Sequence, residues 1–140
     1  MTEARRRREQ VRATYSAVKL VRPAEPATVT ALRRRAADFA ADQGAPEEMV
    51  AEVALAVSEA VTNVVKYAYA GGEGQVELLA AAEKGWLEIR VRDQGEGFAA
   101  GRSEGLGLGL SLIADHCTDL SIAQETTGTE VRMRWALPEG

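Results

Sequence analysis

The sequence is poor in the residues that form disulfides and hold transition metals. It contains one cysteine, Cys117, and one histidine, His116, among 140 residues. A single cysteine excludes an intrachain disulfide, and one histidine with one cysteine is too few for a zinc cage. His116 lies beside a glycine-rich segment, so we expect a structural role for it and not the acceptance of a phosphoryl group.

Long apolar runs are also missing. No stretch reaches the eighteen or so residues that a membrane span requires, and the N-terminal arginines are not followed by the apolar segment of a secretory signal. We therefore expect a cytoplasmic protein that does not enter a membrane. Hydrophobic residues make up 46% of the chain, which is enough for one core, and no change in composition divides it.

Positive charge is concentrated at the N-terminus. Residues 1–22 hold seven Lys and Arg against two acids, whereas the remainder holds ten against nineteen. The run Arg5–Arg8 is typical of a solvated tail, so we predict a flexible basic tail over residues 1–12 and a single domain over residues 13–140. The acidic body argues against direct binding of nucleic acid.

Two amphipathic helices are predicted in the first half of the chain. Apolar residues recur at steps of three and four between residues 27 and 43, and a glycine follows at 44. A second helix begins at Pro46. Its buried stripe consists of valines at helical spacing, Val50, Val53, Val57, Val61 and Val64. On this helix Glu59, Asn63 and Lys66 lie about 150° from the stripe, so we expect them to line a cleft.

Alternation of apolar and polar residues predicts five strands. A short edge strand at residues 16–20 precedes two prolines, and a hairpin that turns at Gly85 carries Asp93 to a strand end. Two strands near residues 120–123 and 130–135 finish the chain, after a third helix from Leu108 to Cys117. This order predicts an α+β fold, a two-layer sandwich whose mostly antiparallel mixed sheet is covered on one face by helices.

Two glycine-rich segments follow the hairpin, Asp93-Gln-Gly-Glu-Gly97 and Gly105-Leu-Gly-Leu-Gly109. The third glycine of the second segment arrives one residue early for the dinucleotide fingerprint GxGxxG, and no GxxxxGK[ST] sequence occurs. Taken alone, each segment is explained equally well as a polar or glycine turn. Their combination with Glu59 and Asn63, in this order, indicates a pocket for ATP and magnesium.

These motifs resemble the nucleotide-binding boxes of the GHKL ATPases, the superfamily of gyrase, heat-shock chaperone and histidine-kinase ATP domains. The matching segments are Glu59–Tyr69, Asp93–Phe98, Gly105–Ile113 and Gly128-Thr129. The segment Leu55–Asn63 and the small size most resemble the bacterial anti-sigma factor serine kinases. The resemblance covers nearly the whole chain and implies the two-layer ATP-binding fold of that superfamily.

The resemblance implies a role for each residue of the motifs. Asp93 accepts a hydrogen bond from the adenine amino group, and Thr129 belongs to the same adenine-side network. Asn63 is the magnesium ligand, and Glu59 is the general base that takes a proton from an attacking hydroxyl. Lys66 either steadies a phosphate oxygen or is solvated. The glycines allow close approach to the base or offer backbone N–H groups to the phosphates: Gly95, Gly97, Gly105, Gly107 and Gly109.

The same resemblance implies partners. They are a sigma factor that is held inactive and a STAS-domain antagonist that is phosphorylated on a serine, with ATP and magnesium as cofactors and a homodimer as the assembly. Such a protein is a serine/threonine-protein kinase that regulates transcription. Arg33 aligns with an arginine that sporulation members use for partner contact, although solvation is the ordinary state of an arginine on a helix face.

Two functions remain open at this stage. One is the kinase; the other is a non-catalytic, ATP-responsive module that sequesters partner proteins. Glu59 favours the kinase. Residues 99–104 are short for the mobile lid that the superfamily places between Phe98 and Gly105, which favours the module and predicts rapid nucleotide exchange.

Overall fold

The computed structural model describes residues 15–95 and 113–138. Its elements in chain order are β1 (Tyr15–Pro23), α1 (Pro26–Asp42), α2 (Glu47–Asn63), a π-helical segment (Val64–Ala68), β2 (Gln75–Glu83), β3 (Trp86–Asp93), β4 (Asp119–Glu125) and β5 (Gly128–Ala136). The π-helical segment continues α2 directly. Residues 113–116 are helical, and Cys117, the last residue of the predicted third helix, lies just beyond the helical residues.

The five strands form one sheet in the order β1-β2-β3-β5-β4. Each of the four pairings between the described strands is antiparallel, so the mixed character that we expected is not seen in them. The two long helices cover one face of this sheet. The predicted α+β class and the predicted edge position of β1 are confirmed.

Local signals at the ends of α1 explain its bounds. Pro26 lies in the first turn, where its missing N–H costs no hydrogen bond. At the other end Gly44 has a φ of +86°. Its N–H donates to the carbonyl of Ala41 and the N–H of Ala45 donates to that of Ala40, both at 3.0 Å. This is the Schellman arrangement, which satisfies the last carbonyls of the helix and turns the chain toward α2.

The core lies between the two helices and the inner face of the sheet. The predicted valine stripe of α2 is confirmed, except that Val50 is only half-buried. Apolar side chains from both layers are at most 2% exposed, among them Leu32, Val53, Val57, Val61, Leu78, Leu87, Ile89, Met133 and Trp135. Burial of each such side chain stabilises the fold by about 1.5–3 kcal/mol relative to exposure, so the stripe fixes the orientation of α2 on the sheet.

The β2–β3 hairpin sets which side chains face the helices. Glu83 pairs with Trp86 across a two-residue loop, in which Lys84 and Gly85 both have positive φ angles. This is the loop conformation that matches the twist of the strands. Alternation along β3 then points Arg92 to the outer face, where it is exposed, and Asp93 to the inner face, where it is buried.

Candidate functional site

The site is built around Asp93, the last residue of β3. Its side chain is 5% exposed, and Thr129 at the start of β5 is 6% exposed. The two residues are direct partners in the antiparallel register of β3 and β5. A carboxylate and a hydroxyl therefore lie side by side at one end of the sheet, on the face that the helices cover.

Two backbone donors hold the Asp93 carboxylate. The N–H of Gly95 donates to its Oδ1 at 2.9 Å, and the backbone N–H of Thr129 donates to it as well. Burial raises the pKa of Asp93 above its ordinary value, and the two N–H groups partly oppose that rise. The carboxyl is thus fixed in direction and poorly hydrated, which are the conditions under which it discriminates between a donor and an acceptor on a ligand.

Gly95 and Gly128 are required by close approach of backbone to backbone. A Cβ on Gly95 would lie 1.9 Å from the carbonyl oxygen of Ala68, at the end of the π-helical segment. A Cβ on Gly128, whose φ is +148°, would lie 1.9 Å from the carbonyl oxygen of Asp93. Only glycine fits at either position without a shift of the backbone. The helix end, the end of β3 and the start of β5 therefore meet around Asp93.

The helix that ends against Gly95 carries the other predicted residues. Asn63, the last residue of α2, is 7% exposed, and Glu59 one turn earlier is half-buried. Lys66 is exposed. It lies in the π-helical segment, where i→i+5 bonding changes the angle between successive residues, so the α-helical spacing that grouped it with Asn63 ends at Asn63.

Arg33 is the one remaining predicted residue that the structure describes. Arg33 is exposed on α1. Four of the glycines expected near the base or the phosphates lie outside the described residues: Gly97, Gly105, Gly107 and Gly109. The predicted lid, residues 99–104, lies outside them too.

One residue of the site was missed by the sequence reasoning. Tyr69, the first residue after the π-helical segment, hydrogen-bonds through its hydroxyl to the backbone of Gln75 and of Gln94. The only sequence signal for a role of Tyr69 in the site was its position six residues after Asn63 and before a glycine-containing loop. Nothing in the local pattern separates such a tyrosine from an ordinary half-buried aromatic.

The residues beside the glycine-rich segment have structural contacts. The backbone carbonyl of His116 accepts the indole N–H of the buried Trp135. The thiol of Cys117 donates to the carbonyl of Ile113 at 3.3 Å, and burial raises the pKa of this thiol. The bond from Trp135 attaches the end of this helical turn to β5, whereas the Cys117 bond lies within the turn.

Asn63 offers the kind of donor atom that magnesium accepts. Within residues 15–95 and 113–138, no group of three His, Cys, Asp or Glu side chains could hold a metal ion. The amide oxygen of Asn63 is a hard donor, and magnesium commonly takes one or two protein oxygens and completes its shell with phosphates and water.

The described helices include none that is long and apolar enough to cross a membrane.

The chain is similar to known proteins. The family model of the histidine kinase-like ATPase domain matches residues 22–135. The chain is 38% identical over 87 residues to the serine-protein kinase RsbW of Listeria monocytogenes, covering 60% of this chain and 54% of that protein. It is 34% identical over 92 residues to the RsbW of Bacillus licheniformis, with coverages of 64% and 58%. The chain spans little more than half the length of the curated relatives it matches.

A solved structure shares the fold. The crystal structure of the RsbU and RsbW domains of Rv1364c from Mycobacterium tuberculosis superposes with a TM-score of 0.72 over 89% of this chain and 33% of that one. The sequence identity is 21%, so this likeness supports the architecture.

Proposed function

The chain belongs to the histidine kinase-like ATPase domain family, and we propose that it is a magnesium-dependent kinase that binds a sigma factor and phosphorylates a serine of a STAS-domain antagonist. The kinase part of this proposal is supported by relatives that are serine-protein kinases. The sigma factor, the antagonist and a homodimer are implied by the resemblance described above, and the cytoplasmic location is the expectation stated from the sequence.

The observation that carries the proposal is the buried carboxylate of Asp93, which accepts hydrogen bonds from two backbone N–H groups. Adenine presents an amino group at the position where guanine presents a carbonyl. A carboxylate fixed by two backbone N–H groups accepts a hydrogen bond from the former and repels the latter. Because the carboxyl is poorly hydrated, the mismatch with guanine is not relieved by water. The site therefore selects an adenine nucleotide.

The end of α2 supplies the residues for the transfer step. Asn63 would hold magnesium, which when bound neutralises charge on the phosphates and orients them. In the transfer itself the hydroxyl oxygen of the substrate serine attacks the terminal phosphorus of ATP, and the bond from that phosphorus to the ADP oxygen breaks. Glu59 is the residue to which the serine hydroxyl passes its proton. Its half-buried position one turn from Asn63 suits that role.

The experiment that tests the nucleotide assignment is calorimetric titration with ATP and with GTP in the presence of magnesium. We expect ATP to bind more tightly by at least about a hundredfold, the discrimination shown by sites whose buried polar groups would be left unpaired. Asp93→Asn should weaken ATP binding, and the exposed change Arg33→Gln should leave it unchanged. Equal affinities for the two nucleotides would remove the basis of the assignment.

A second candidate function is an ATP-responsive module that sequesters partners without phosphotransfer. The observation in its favour is the six-residue segment 99–104, which is short for a lid that encloses phosphates. Partners retained on the immobilised protein with and without ATP, and analysed by mass spectrometry, distinguish the two functions. A phosphorylated serine on a retained protein supports the kinase. ATP-dependent retention without a phosphorylated protein supports the module.

A further inference from the structure

Tyr69 stands where three segments of the site meet. It directly follows the π-helical segment that continues α2, and it precedes the loop that leads to β2. Its side chain is half-buried. Through its hydroxyl it also reaches Gln94, the residue after the end of β3.

The Tyr69 hydroxyl donates one hydrogen bond and accepts another. The O–H donates to the backbone carbonyl of Gln75, and the oxygen accepts the backbone N–H of Gln94 at 3.0 Å. A phenolic hydroxyl has one proton to give and lone pairs to accept with, so both bonds form at once. Phenylalanine keeps the ring and loses both.

The ring is held as firmly as the hydroxyl. A Cβ on Gly74 would lie 2.2 Å from Cε1 of Tyr69 and 2.3 Å from its Cδ1 and Cζ. The ring therefore lies against the Gly74 backbone, in space that any other residue at 74 would fill. With the ring fixed in this way, the position of the hydroxyl is determined before any ligand arrives.

The bond to Gln94 has a consequence for Asp93. Asp93 is fixed through its register with Thr129, and Gly95 is fixed by its close approach to Ala68 and by its N–H bond to the Asp93 carboxylate. Gln94 lies between them and is exposed, and the Tyr69 hydroxyl holds its backbone N–H. Without that bond the Asp93–Gln94 peptide loses the partner of its N–H, and the direction of the carboxylate relative to its Gly95 donor is less restricted.

We propose that Tyr69 is a positioning residue for nucleotide selection: it orients the Asp93 carboxylate by holding the Gln94 peptide, and so ties the end of the Asn63 helix to the adenine-recognition segment. This inference rests on the proposed function, in which Asp93 receives the adenine amino group. Tyr69 itself need not touch the nucleotide. It acts on the direction of the carboxylate and thereby on the preference for adenine over guanine.

The test compares Tyr69→Phe with wild type in calorimetric titrations with ATP and with GTP. Tyr69→Phe removes both bonds, of which the bond to Gln94 is the positioning one, and its loss should lower the ratio of ATP to GTP affinity by about three- to tenfold. The matched control is Tyr15→Phe, the same change at a tyrosine of β1 that is 56% exposed. That control should leave the ratio unchanged. A Tyr69→Phe protein that keeps the wild-type ratio would overturn the inference.

A double-mutant comparison separates positioning from a general loss of stability. In an Asp93→Asn background, Tyr69→Phe should cause no further change in the ratio, because its effect passes through the carboxylate. An equal additional loss in that background would show that Tyr69 acts independently of Asp93 and would refute the proposal.

Hydrogen exchange in the wild-type protein, without nucleotide, provides a measurement that depends neither on the proposed function nor on the folding of a variant. We expect the Gln94 amide to be protected although its residue is exposed, and unprotected exchange there would overturn the inference directly. A protected Gln94 amide in a protein that binds ATP and GTP equally would instead contradict the proposed function, while the contact on which the inference is built would stand.

Discussion

Replacement of Gly95 by alanine should weaken nucleotide binding as well as destabilise the fold. The new Cβ would lie 1.9 Å from the carbonyl oxygen of Ala68 and 2.5 Å from its carbonyl carbon, where ordinary contacts begin near 3.4 Å. Backbone must therefore move by about 1.5 Å, since no flexible side-chain end is available to give way. Such overpacking costs about 1–3 kcal/mol of folding free energy.

The displacement also acts on the Asp93 carboxylate. The N–H of Gly95 donates to Oδ1 at 2.9 Å, and a shift of this size breaks that bond. A hydrogen bond to a charged group contributes about 1.5–3 kcal/mol, so ATP affinity should fall by roughly ten- to a hundredfold. Urea unfolding should show a midpoint lower by about 1 M, for a loss of about 2 kcal/mol and an m-value near 2 kcal/mol/M.

The matched control is Gly85→Ala in the β2–β3 turn. Gly85 has a φ of +82°, and an added Cβ there meets nothing within 4 Å. This change should cost about 1–2 kcal/mol through backbone conformation, a loss of stability similar to that of Gly95→Ala, but ATP affinity should be unaffected. If Gly95→Ala binds ATP as tightly as wild type, the close approach to Ala68 has no bearing on recognition and the reasoning is refuted.

Two further predictions concern the chemistry of the site. Glu59→Gln should leave ATP binding nearly intact and lower phosphotransfer to the antagonist by roughly two to four orders of magnitude, the usual contribution of a positioned base. Undiminished transfer by this variant would rule out the catalytic role of Glu59. Asn63→Ala should instead weaken magnesium-dependent ATP binding itself. Because burial raises the pKa of Asp93, ATP affinity should fall on acidification at a pH above the ordinary aspartate value of 3.8, as calorimetry between about pH 4 and 7 would show. In the free protein the folded state holds this proton more tightly than the unfolded chain does. The contribution of Asp93 to stability is therefore present below its ordinary pKa and is lost as the pH rises through the folded value, and urea unfolding that showed the opposite trend for wild type relative to Asp93→Asn would contradict the assigned environment.

Local signals in the sequence predicted most of the architecture, because each element is specified by residues close together in the chain. The valine stripe placed α2 on the sheet, and Gly44 and Gly85 marked turns that the structure forms with positive φ angles. The contact between Asp93 and Thr129 is different. It depends on the register of β3 and β5, which are separated by more than thirty residues, and register is set by packing of the whole sheet. The motifs named both residues, but the sequence alone did not show that they are neighbours.

The π-helical segment bears on two residues: Lys66, whose place beside Asn63 stays a prediction, and Tyr69, which the sequence reasoning missed. The prediction for Lys66 assumed 100° per residue, and i→i+5 bonding after Asn63 adds a residue to the turn, so each later side chain departs further from its α-helical position. A π-helical turn is less favourable than an α-helical one and persists where surrounding contacts determine it. Here those contacts are the close approach of Gly95 to Ala68 and the hydrogen bonds of Tyr69 to Gln75 in β2 and to Gln94 just after β3. The irregular turn thus occurs where the helix that carries Asn63 meets the segment that carries Asp93, and the contacts of Ala68 and Tyr69 join the two halves of the site.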